Sequence, residues 1–348
     1  MQWQKDLKLT THSNKSYGGP AYRQVCYKES EDAADADRCL TASSLRLIAR
    51  LEEVEVVIYK NKKPLVLFLL PAFAFMVVFL HYPFVMNILN SFQNIAGLAA
   101  PSKGWLDPWY SNYVEMLHDK NVWIALKNTL ILMGATLVFE VGMALVLAIL
   151  VDQIRVGAKF FRVVYFFPIV ISATALGLLF NLIFLRDKGM VNQLFAIFGY
   201  EGLIDWKNEK YAMFTMLLPV VWQYVGFYFV IIVTGLNNIS ADLYEVASID
   251  GAGRMQRIRY ITLPLLHNVL CTCVILAVTG ALKVFDLPWI MFQKGMPQNK
   301  TWLTSTYMYY HSIETRNTDY GCALAVLIVV LGIISAKIVN AIFKEKDY

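Results

Sequence analysis

Six long apolar stretches, separated by polar segments, follow one another along the chain after residue 61. A helix needs about 20 mostly apolar residues to cross the hydrocarbon core of a bilayer, and each stretch reaches that length. The pattern therefore predicts an all-α integral membrane protein with about six transmembrane helices. The predicted spans cover residues 65–89, 123–151, 163–185, 213–235, 265–287 and 322–343.

The first 61 residues differ in character from the rest of the chain. They are polar and contain Gly18-Gly19-Pro20 and an acidic stretch from Glu29 to Asp37. Since the first 40 residues carry no apolar signal-peptide core, we expect the chain to enter the membrane through its first span. We predict two regions: a largely disordered cytoplasmic extension over residues 1–61, and a transmembrane domain over residues 62–348.

Basic residues next to the spans predict the orientation of the chain. Lys60, Lys62 and Lys63 precede the first span, and lysine and arginine are enriched on the cytoplasmic side of membrane proteins. With six spans, both termini are then expected in the cytoplasm. The basic loops between spans two and three and between spans four and five fall on the same side.

Composition supports the membrane prediction and narrows the function. Hydrophobic residues make up 57% of the chain and charged residues 16%, against about 25% charged residues in an average soluble domain. The net charge of +5 is mild, and no dense Lys/Arg block points to nucleic acid. The five cysteines match no zinc or redox spacing. We therefore expect no metal site and no cofactor in this chain.

Sequence signatures of an enzyme are missing. The five histidines are scattered, and no nucleophile–base pair or dinucleotide-binding loop stands out. The chain also lacks a Gly-x-x-x-x-Gly-Lys-Ser/Thr loop for binding nucleotide phosphates. A membrane enzyme is therefore disfavoured, and any use of ATP requires a separate subunit.

Ionisable residues near membrane depth are candidates for function, because burying a charge there costs several kcal/mol. The residues concerned are Glu140, Lys283 and Asp286. For Glu140 we favour a structural pairing within the bundle. Asp286 fits a structural and a functional role equally well.

The segment between spans four and five is longer than a connector requires. Ser240 can cap a helix, and Asp242 suits its first turn. Gly251 and Gly253 then end this helix, and a second short helix leads to Pro264 at the start of span five. The apolar side chains expected on one face of the first helix are Leu243, Val246 and Ala247.

This segment resembles the "EAA" loop of binding-protein-dependent ABC importer permeases. The family pattern is roughly Glu-Ala-Ala, three residues, Gly, nine residues and then Ile-x-Leu-Pro. The matching residues are Glu245-Val246-Ala247, Asp250-Gly251 and Ile261-Thr262-Leu263-Pro264. Val246 is the one departure, since the family prefers alanine there.

Flanking motifs extend the resemblance over about residues 62–345 and are similar to those of the carbohydrate branch, which includes the maltose, glycerol-phosphate and multiple-sugar permeases. The matching motifs are Leu70-Pro71, Tyr82-Pro83, Ser91-Phe92, Asn128-Thr129, Phe161-Arg162, Phe167-Pro168, Gly189 with Asn192, Gly235-Leu236, Phe285-Asp286 and Tyr320-Gly321.

The resemblance implies a type I ABC importer permease fold and a multi-pass protein of the bacterial cell membrane. The implied partners are a second permease subunit forming a heterodimer, two ATPase subunits that bind ATP and magnesium, an external solute-binding protein and a sugar. The residues implied in coupling to the ATPase are Leu243, Glu245, Ala247, Asp250, Gly251 and Pro264.

The resemblance to the maltose permease also places sugar contacts on spans four and five. The aligned positions on span five are almost wholly apolar here, so either the sugar differs or the partner permease makes most of the contacts. The candidate pathway residues are Trp222, Gln223, Tyr224, Phe227, Thr279 and Lys283.

Two other classes of transporter stay open at this stage. A permease of a non-sugar ABC importer would share the loop motif. A secondary transporter or channel would instead show inverted repeats or acidic residues in several spans, and we find no convincing internal repeat. Co-purification with an ATPase would separate an importer from the secondary transporter.

Overall fold

The computed structural model describes residues 62–97, 100–154, 157–200 and 202–343. The predicted extension over residues 1–61 lies outside the described residues. The chain divides into two compact units, Met1–His81 and Tyr82–Tyr348. The described part of the first unit is helix α1 (Lys62–Met76) and a π-helical turn, Val77–His81. Its apolar side chains are exposed, as a lipid-facing surface requires.

In the described part of the second unit the regular elements are helices, including one 3-10 turn at Gln293–Gly295, and two isolated β-bridges join loop residues. The α-helices in chain order are α2 (Tyr82–Asn90), α3 (Ser111–His118), α4 (Lys120–Ala135), α5 (Gly142–Asp152), α6 (Ala158–Val170), α7 (Ala173–Ile183), α8 (Met190–Ile197), α9 (Ala212–Asn237), α10 (Ala241–Ile249), α11 (Arg254–Arg257), α12 (Leu263–Leu265), α13 (His267–Ala281), α14 (Asp286–Met291), α15 (Thr304–Tyr309) and α16 (Thr318–Ile342). The π-helical turns are Thr136–Val141, Ile258–Thr262 and Tyr310–Glu314.

Among the described residues, five helical segments are long and apolar enough to cross a membrane. A sixth span results if the bent pair α6 and α7 counts as one, which agrees with the predicted number. The other five candidates are Pro64–Asn90, Lys120–Asp152, Ala212–Asn237, His267–Met291 and Thr318–Ile342. Their ends lie within a few residues of the predicted ends.

The third span departs from the continuous helix predicted over residues 163–185. Helices α6 and α7 meet at an angle of 94°. Ile171 is extended at the break, with φ −74° and ψ 135°, and the Ser172 side chain caps α7 by accepting a hydrogen bond from the Ala175 N–H at 3.2 Å. Pro168 weakens α6 just before the break because its ring removes one backbone donor. Because Ser172 caps α7 directly after the turn that Pro168 weakens, α7 begins in a different direction from α6.

The fifth span is also interrupted, whereas the prediction had one helix over residues 265–287. Helix α13 ends at Ala281, and α14 begins at Asp286. Phe285 has φ −135° and ψ −56°, which lies outside helical geometry. The interruption leaves Lys283 exposed in a non-helical stretch and places Asp286, also exposed, at the first position of α14.

Helix α9 is the most buried of the candidate spans, with 56% of its most apolar 18-residue stretch buried inside the protein. It packs against α5 and α6, and its Gly226 lies directly on the α6 backbone. A Cβ atom placed on Gly226 would lie 1.7 Å from the Tyr165 carbonyl oxygen. Glycine at this position therefore allows two spans to pack backbone to backbone, as small residues do in membrane bundles.

Candidate functional site

Helix α10 has the bounds that the sequence predicts, Ala241–Ile249. It begins at Ser240, whose hydroxyl accepts a hydrogen bond from the Asp242 N–H at 3.3 Å. It ends with the Ala252 N–H bonded to the Ala247 carbonyl at 2.8 Å and the Gly251 N–H bonded to the Ser248 carbonyl at 3.2 Å. This pair of bonds is a Schellman motif, which needs a residue with positive φ. Gly251 supplies it with φ +78°.

No side chain of α10 is buried against the rest of the described chain. Leu243 is 46% exposed, Val246 57% and Ile249 85%. Ala247 is half-buried, and both Glu245 and Asp250 are exposed. Water disfavours so many apolar side chains on one short helix. The surface formed by Leu243, Val246 and Ile249, here called the α10 face, therefore has the composition of a docking surface.

Two hydrogen bonds tie α10 to the segment that leads into span five. The Tyr244 Oη and Thr262 Oγ1 atoms lie 3.0 Å apart, and Arg257 Nη1 donates to Ser248 Oγ at 2.9 Å. Thr262 is buried, and Pro264 follows it at the start of α12. These two bonds fasten α10 to the segment at the base of span five.

A cavity of about 320 Å³ lies beside this joint. Its walls come from the end of α5, the end of α9, helix α10 and the segment after Gly253. Arg254, Arg257, Tyr244 and Thr262 contribute polar groups to it. No local sequence signal marks this cavity, because its walls come from four separate parts of the chain.

Two of the predicted pathway residues are engaged within the chain. Gln223 is 5% exposed, and its Nε2 donates to the Ile171 carbonyl at 3.4 Å. That carbonyl lies at the break of the third span, so the Gln223 amide satisfies a backbone group that the break frees. The Thr279 hydroxyl donates to the Ile275 carbonyl of its own helix at 2.7 Å.

Three of the other four predicted pathway residues are exposed, and the fourth, Phe227, is partly buried. Trp222 and Tyr224 are 43% and 37% exposed, and Lys283 is exposed in the break of the fifth span. Phe227 is partly buried against the Tyr228 ring, with centroids 5.2 Å apart. These side chains can still contact a partner or a solute.

Glu140 is the ionisable residue of the second span, for which the sequence favours a structural pairing. It is 2% exposed in the π-helical turn of the second span, and its Oε1 has no hydrogen-bond partner in the described part of the chain. Glu140 and Asp286 are both near enough to Tyr224 to act electrostatically on its hydroxyl. Spans two, four and five thus bring two carboxylates and a phenol into one region. No charged partner of the expected structural pairing is present among the described ion pairs.

A second polar cluster lies in the segment before span six. The His311 ring lies 4.6, 5.4 and 4.8 Å, between centroids, from those of Tyr307, Tyr310 and Tyr320. Tyr307 and Tyr320 donate hydrogen bonds to Asp119. Burial lowers the pKa of His311, and the nearby Asp119 carboxylate acts in the opposite direction to a smaller extent. The packed rings hold this segment against the start of α4.

Two asparagines of the predicted family motifs form hydrogen bonds between loops and helices. Asn128 donates to the carbonyls of Lys300 at 2.7 Å and Trp302 at 2.9 Å. Asn192 donates to the carbonyls of Arg186 and Ile204, both at 2.8 Å. Each amide therefore fixes a loop to a helix. Among the described residues, no group of His, Cys, Asp or Glu could hold a metal ion.

Comparison with known proteins supplies a family. Residues 140–346 match the model described as "binding-protein-dependent transport system inner membrane component". The chain is 31% identical over 276 residues to the probable ABC transporter permease protein YurN of Bacillus subtilis, covering 78% of this chain and 93% of that protein.

Two further relatives have named transport systems. The sulfoquinovosyl glycerol transport system permease protein SmoG of Agrobacterium fabrum is 29% identical, over 81% of this chain and 91% of its own length. The arabinooligosaccharides transport system permease protein AraP of Bacillus subtilis is 29% identical, over 80% of this chain and 90% of its own length.

A solved structure confirms the predicted fold. It is the crystal structure of a bacterial ABC transporter involved in the import of the acidic polysaccharide alginate. The TM-score is 0.73 at 21% identity, covering 85% of this chain and 98% of that one.

Proposed function

The chain belongs to the binding-protein-dependent transport system inner membrane component family, and from this premise we propose that it forms half of the translocation pathway of an ATP-driven carbohydrate importer. It is a membrane-spanning permease subunit and not an ATPase. The named substrates of SmoG and AraP are sugar derivatives and oligosaccharides, which supports a carbohydrate for this chain. The proposed partners are a second permease subunit, two ATPase subunits and a solute-binding protein.

The observation that carries the proposal is the α10 face. Three exposed apolar side chains project from a short helix that is hydrogen-bonded to the base of span five. We propose that this helix docks into a cleft of an ATPase subunit, with Glu245 at the edge as partner of a basic group. ATP-driven closure of the ATPase pair would then move span five and switch the pathway between its two orientations.

Placing a charge in the α10 face is expected to release the ATPase. The substitution Val246→Asp would bury an unpaired carboxylate at the docking surface, which is unfavourable by several kcal/mol. We expect the ATPase to be lost on affinity purification of the permease, while permease abundance in the membrane stays normal. Val246→Ala, which carries the residue preferred by the family, is the matched control and should retain the ATPase. Full recovery of the ATPase with Val246→Asp would contradict the proposed docking.

For the sugar pathway we propose Trp222, Tyr224, Phe227 and Lys283 as contacts. Tyr224 is the foremost candidate because it is exposed and lies near both Glu140 and Asp286. Its ring offers a stacking surface and its hydroxyl a hydrogen bond. Gln223 and Thr279 would support the pathway without contacting the sugar, since their side chains already form hydrogen bonds to backbone carbonyls of the chain.

Removing the Tyr224 side chain is expected to lower sugar uptake. A hydrogen bond to a neutral hydroxyl contributes about 0.5–1.5 kcal/mol, so Tyr224→Phe should reduce uptake about two- to tenfold and Tyr224→Ala should reduce it further. Uptake of oligosaccharides, polyols, glycerol phosphate and peptides would be measured in a strain lacking the native chain. Tyr260→Phe, in the 240–264 loop, is the control. Uptake of peptides alone would reject a carbohydrate importer, and unchanged sugar uptake by Tyr224→Ala would assign the sugar site to the partner permease.

We further propose that both termini and the 240–264 loop face the cytoplasm, on the basis of Lys60, Lys62 and Lys63 before the first span. Reporter domains fused after Lys188 and after Gln298 should then read as external. A reporter fused after Gly253 should read as internal. An internal reading of the fusion after Gln298 would refute this topology.

A further inference from the structure

The cavity beside α10 lies at the level where two spans end. The second span ends at Asp152 and the fourth at Asn237. Ile149 and Leu236, which line the cavity, belong to the last turn of each span. The cavity therefore lies at the boundary between the hydrocarbon core and the polar headgroup region. A volume of about 320 Å³ is large enough for a small ligand or a lipid headgroup.

The lining of the cavity is divided between an apolar and a basic part. Ile149, Leu236 and Ile258 form the apolar part. Arg254 and Arg257 form the basic part. A ligand that satisfies both is an amphiphile with an anionic group at the end of an apolar chain.

Hydrogen-bond donors in the basic part favour a phosphate group as the anion. A guanidinium carries five N–H donors in a planar fork that matches phosphate oxygens. The bond from Arg257 to Ser248 uses one nitrogen and leaves further donors on that side chain. Tyr244 and Thr262, whose hydroxyls lie 3.0 Å from each other, also line the cavity.

Asp152 also borders the cavity and would repel an anion by itself. Arg162, at the start of the third span, acts electrostatically on the Asp152 carboxylate. The Arg162 Nε atom is buried and has no hydrogen-bond partner within the described residues. Two arginines therefore line the cavity against one aspartate, whose charge Arg162 offsets from outside the lining, and the local charge is positive.

We propose that the cavity binds the phosphodiester headgroup of an anionic membrane phospholipid, with the first part of an acyl chain along Ile149, Leu236 and Ile258. The cytoplasmic position of this site rests on the proposed function, whereas its chemistry follows from the walls of the cavity. Basic pockets between spans on the cytoplasmic side are typical sites for anionic headgroups. Because the lipid would contact both α10 and the end of the second span, its binding stabilises one position of the coupling loop. Anionic lipid content would then regulate coupling.

The test is lipid retention by the permease complex, purified with the subunits that accompany it. The complex is stripped of lipid and titrated with phosphatidylglycerol or with phosphatidylcholine, and bound lipid is counted by native mass spectrometry. We expect phosphatidylglycerol to be retained in preference. Arg254→Gln should weaken this retention about fivefold, and Arg254→Lys should restore most of it.

Arg259→Gln is the matched control, because the Arg259 guanidinium lies over the Tyr260 ring at 6.0 Å and does not line the cavity. This variant should retain phosphatidylglycerol like the unmodified complex. Equal loss of lipid in both variants, or no loss with Arg254→Gln, would overturn the site. Displacement of the lipid by inorganic phosphate alone would overturn the lipid assignment in favour of a soluble anion. Lipid binding is measured without transport. Its result therefore does not depend on which solute the complex imports, and failure of the lipid site can be told apart from failure of the proposed function.

Discussion

Replacing Gly251 by proline is expected to abolish transport while the permease still inserts into the membrane. Gly251 has φ +78°, whereas a proline ring holds φ near −65°. Proline would also remove the N–H that bonds the Ser248 carbonyl in the Schellman motif. A residue forced into a disfavoured region costs about 1–3 kcal/mol, and every 1.4 kcal/mol is about tenfold in an equilibrium constant. We therefore expect the population with a correctly docked α10 to fall about ten- to a hundredfold.

Two further substitutions test whether the coupling loop needs a positive φ at residue 251 and not merely a glycine. Gly253→Ala should leave transport unchanged, because Gly253 has an ordinary φ of −67° and an added Cβ would meet only the Gln256 Oε1 atom, at an ordinary contact distance of 3.6 Å. Gly251→Asn should keep much of the activity, since asparagine tolerates positive φ better than other side chains. Transport is measured as uptake per permease in the membrane, together with ATPase recovery. Full uptake by Gly251→Pro at normal abundance would refute the coupling role of this loop.

The parts of the fold that were predictable are those imposed by the bilayer. Lipid requires a helix of about 20 apolar residues wherever the chain crosses, so the pattern alone located the spans. The fourth span, predicted over residues 213–235, occupies Ala212–Asn237. Helix α10 was equally predictable, because Ser240 and Gly251 are local signals that act through the backbone next to them.

The breaks in the third and fifth spans could not be read from the pattern, since residues such as Pro168 and Asp286, which interrupt the apolar runs there, have counterparts inside continuous helices, such as Pro219 in α9. A break exposes backbone groups that need partners, and these partners come from remote parts of the chain. The Ile171 carbonyl bonds Gln223, 52 residues away. The Val284 carbonyl bonds the Ser305 hydroxyl. The local pattern of apolar and polar residues predicts neither of these long-range hydrogen bonds.

The same reason explains the difference between the predicted site and the structure. Gln223 has the chemistry of a sugar ligand, but its amide is engaged at the break. Glu140 was expected to have a partner, yet its Oε1 is unpaired in the described chain. Resemblance to a family identified Asn128 and Asn192 as motif residues without assigning them a role. The structure gives both a role in holding loops.

Substituting Gly226 by alanine is expected to prevent stable folding of the permease. The new Cβ atom would lie 1.7 Å from the Tyr165 oxygen, 2.5 Å from its carbonyl carbon and 3.0 Å from the Phe166 Cα. All three are backbone atoms, so no side-chain rotation relieves the overlap, and α9 must move away from α6. Overpacking a core costs about 1–3 kcal/mol and occasionally more. We expect the upper end here, because the displaced helix is the most buried of the candidate spans.

Gly134→Ala is the matched control, since Gly134 lies in α4 with nothing within 4 Å of an added Cβ. Alanine is the better helix former by about 1 kcal/mol, so this variant should accumulate at least as well as the unmodified chain. Membrane abundance and the melting temperature in detergent measure the difference. Gly226→Ala should be degraded or melt well below the control, with uptake lost in proportion to abundance. If it accumulated and melted like Gly134→Ala, α6 and α9 would not pack backbone to backbone in the membrane.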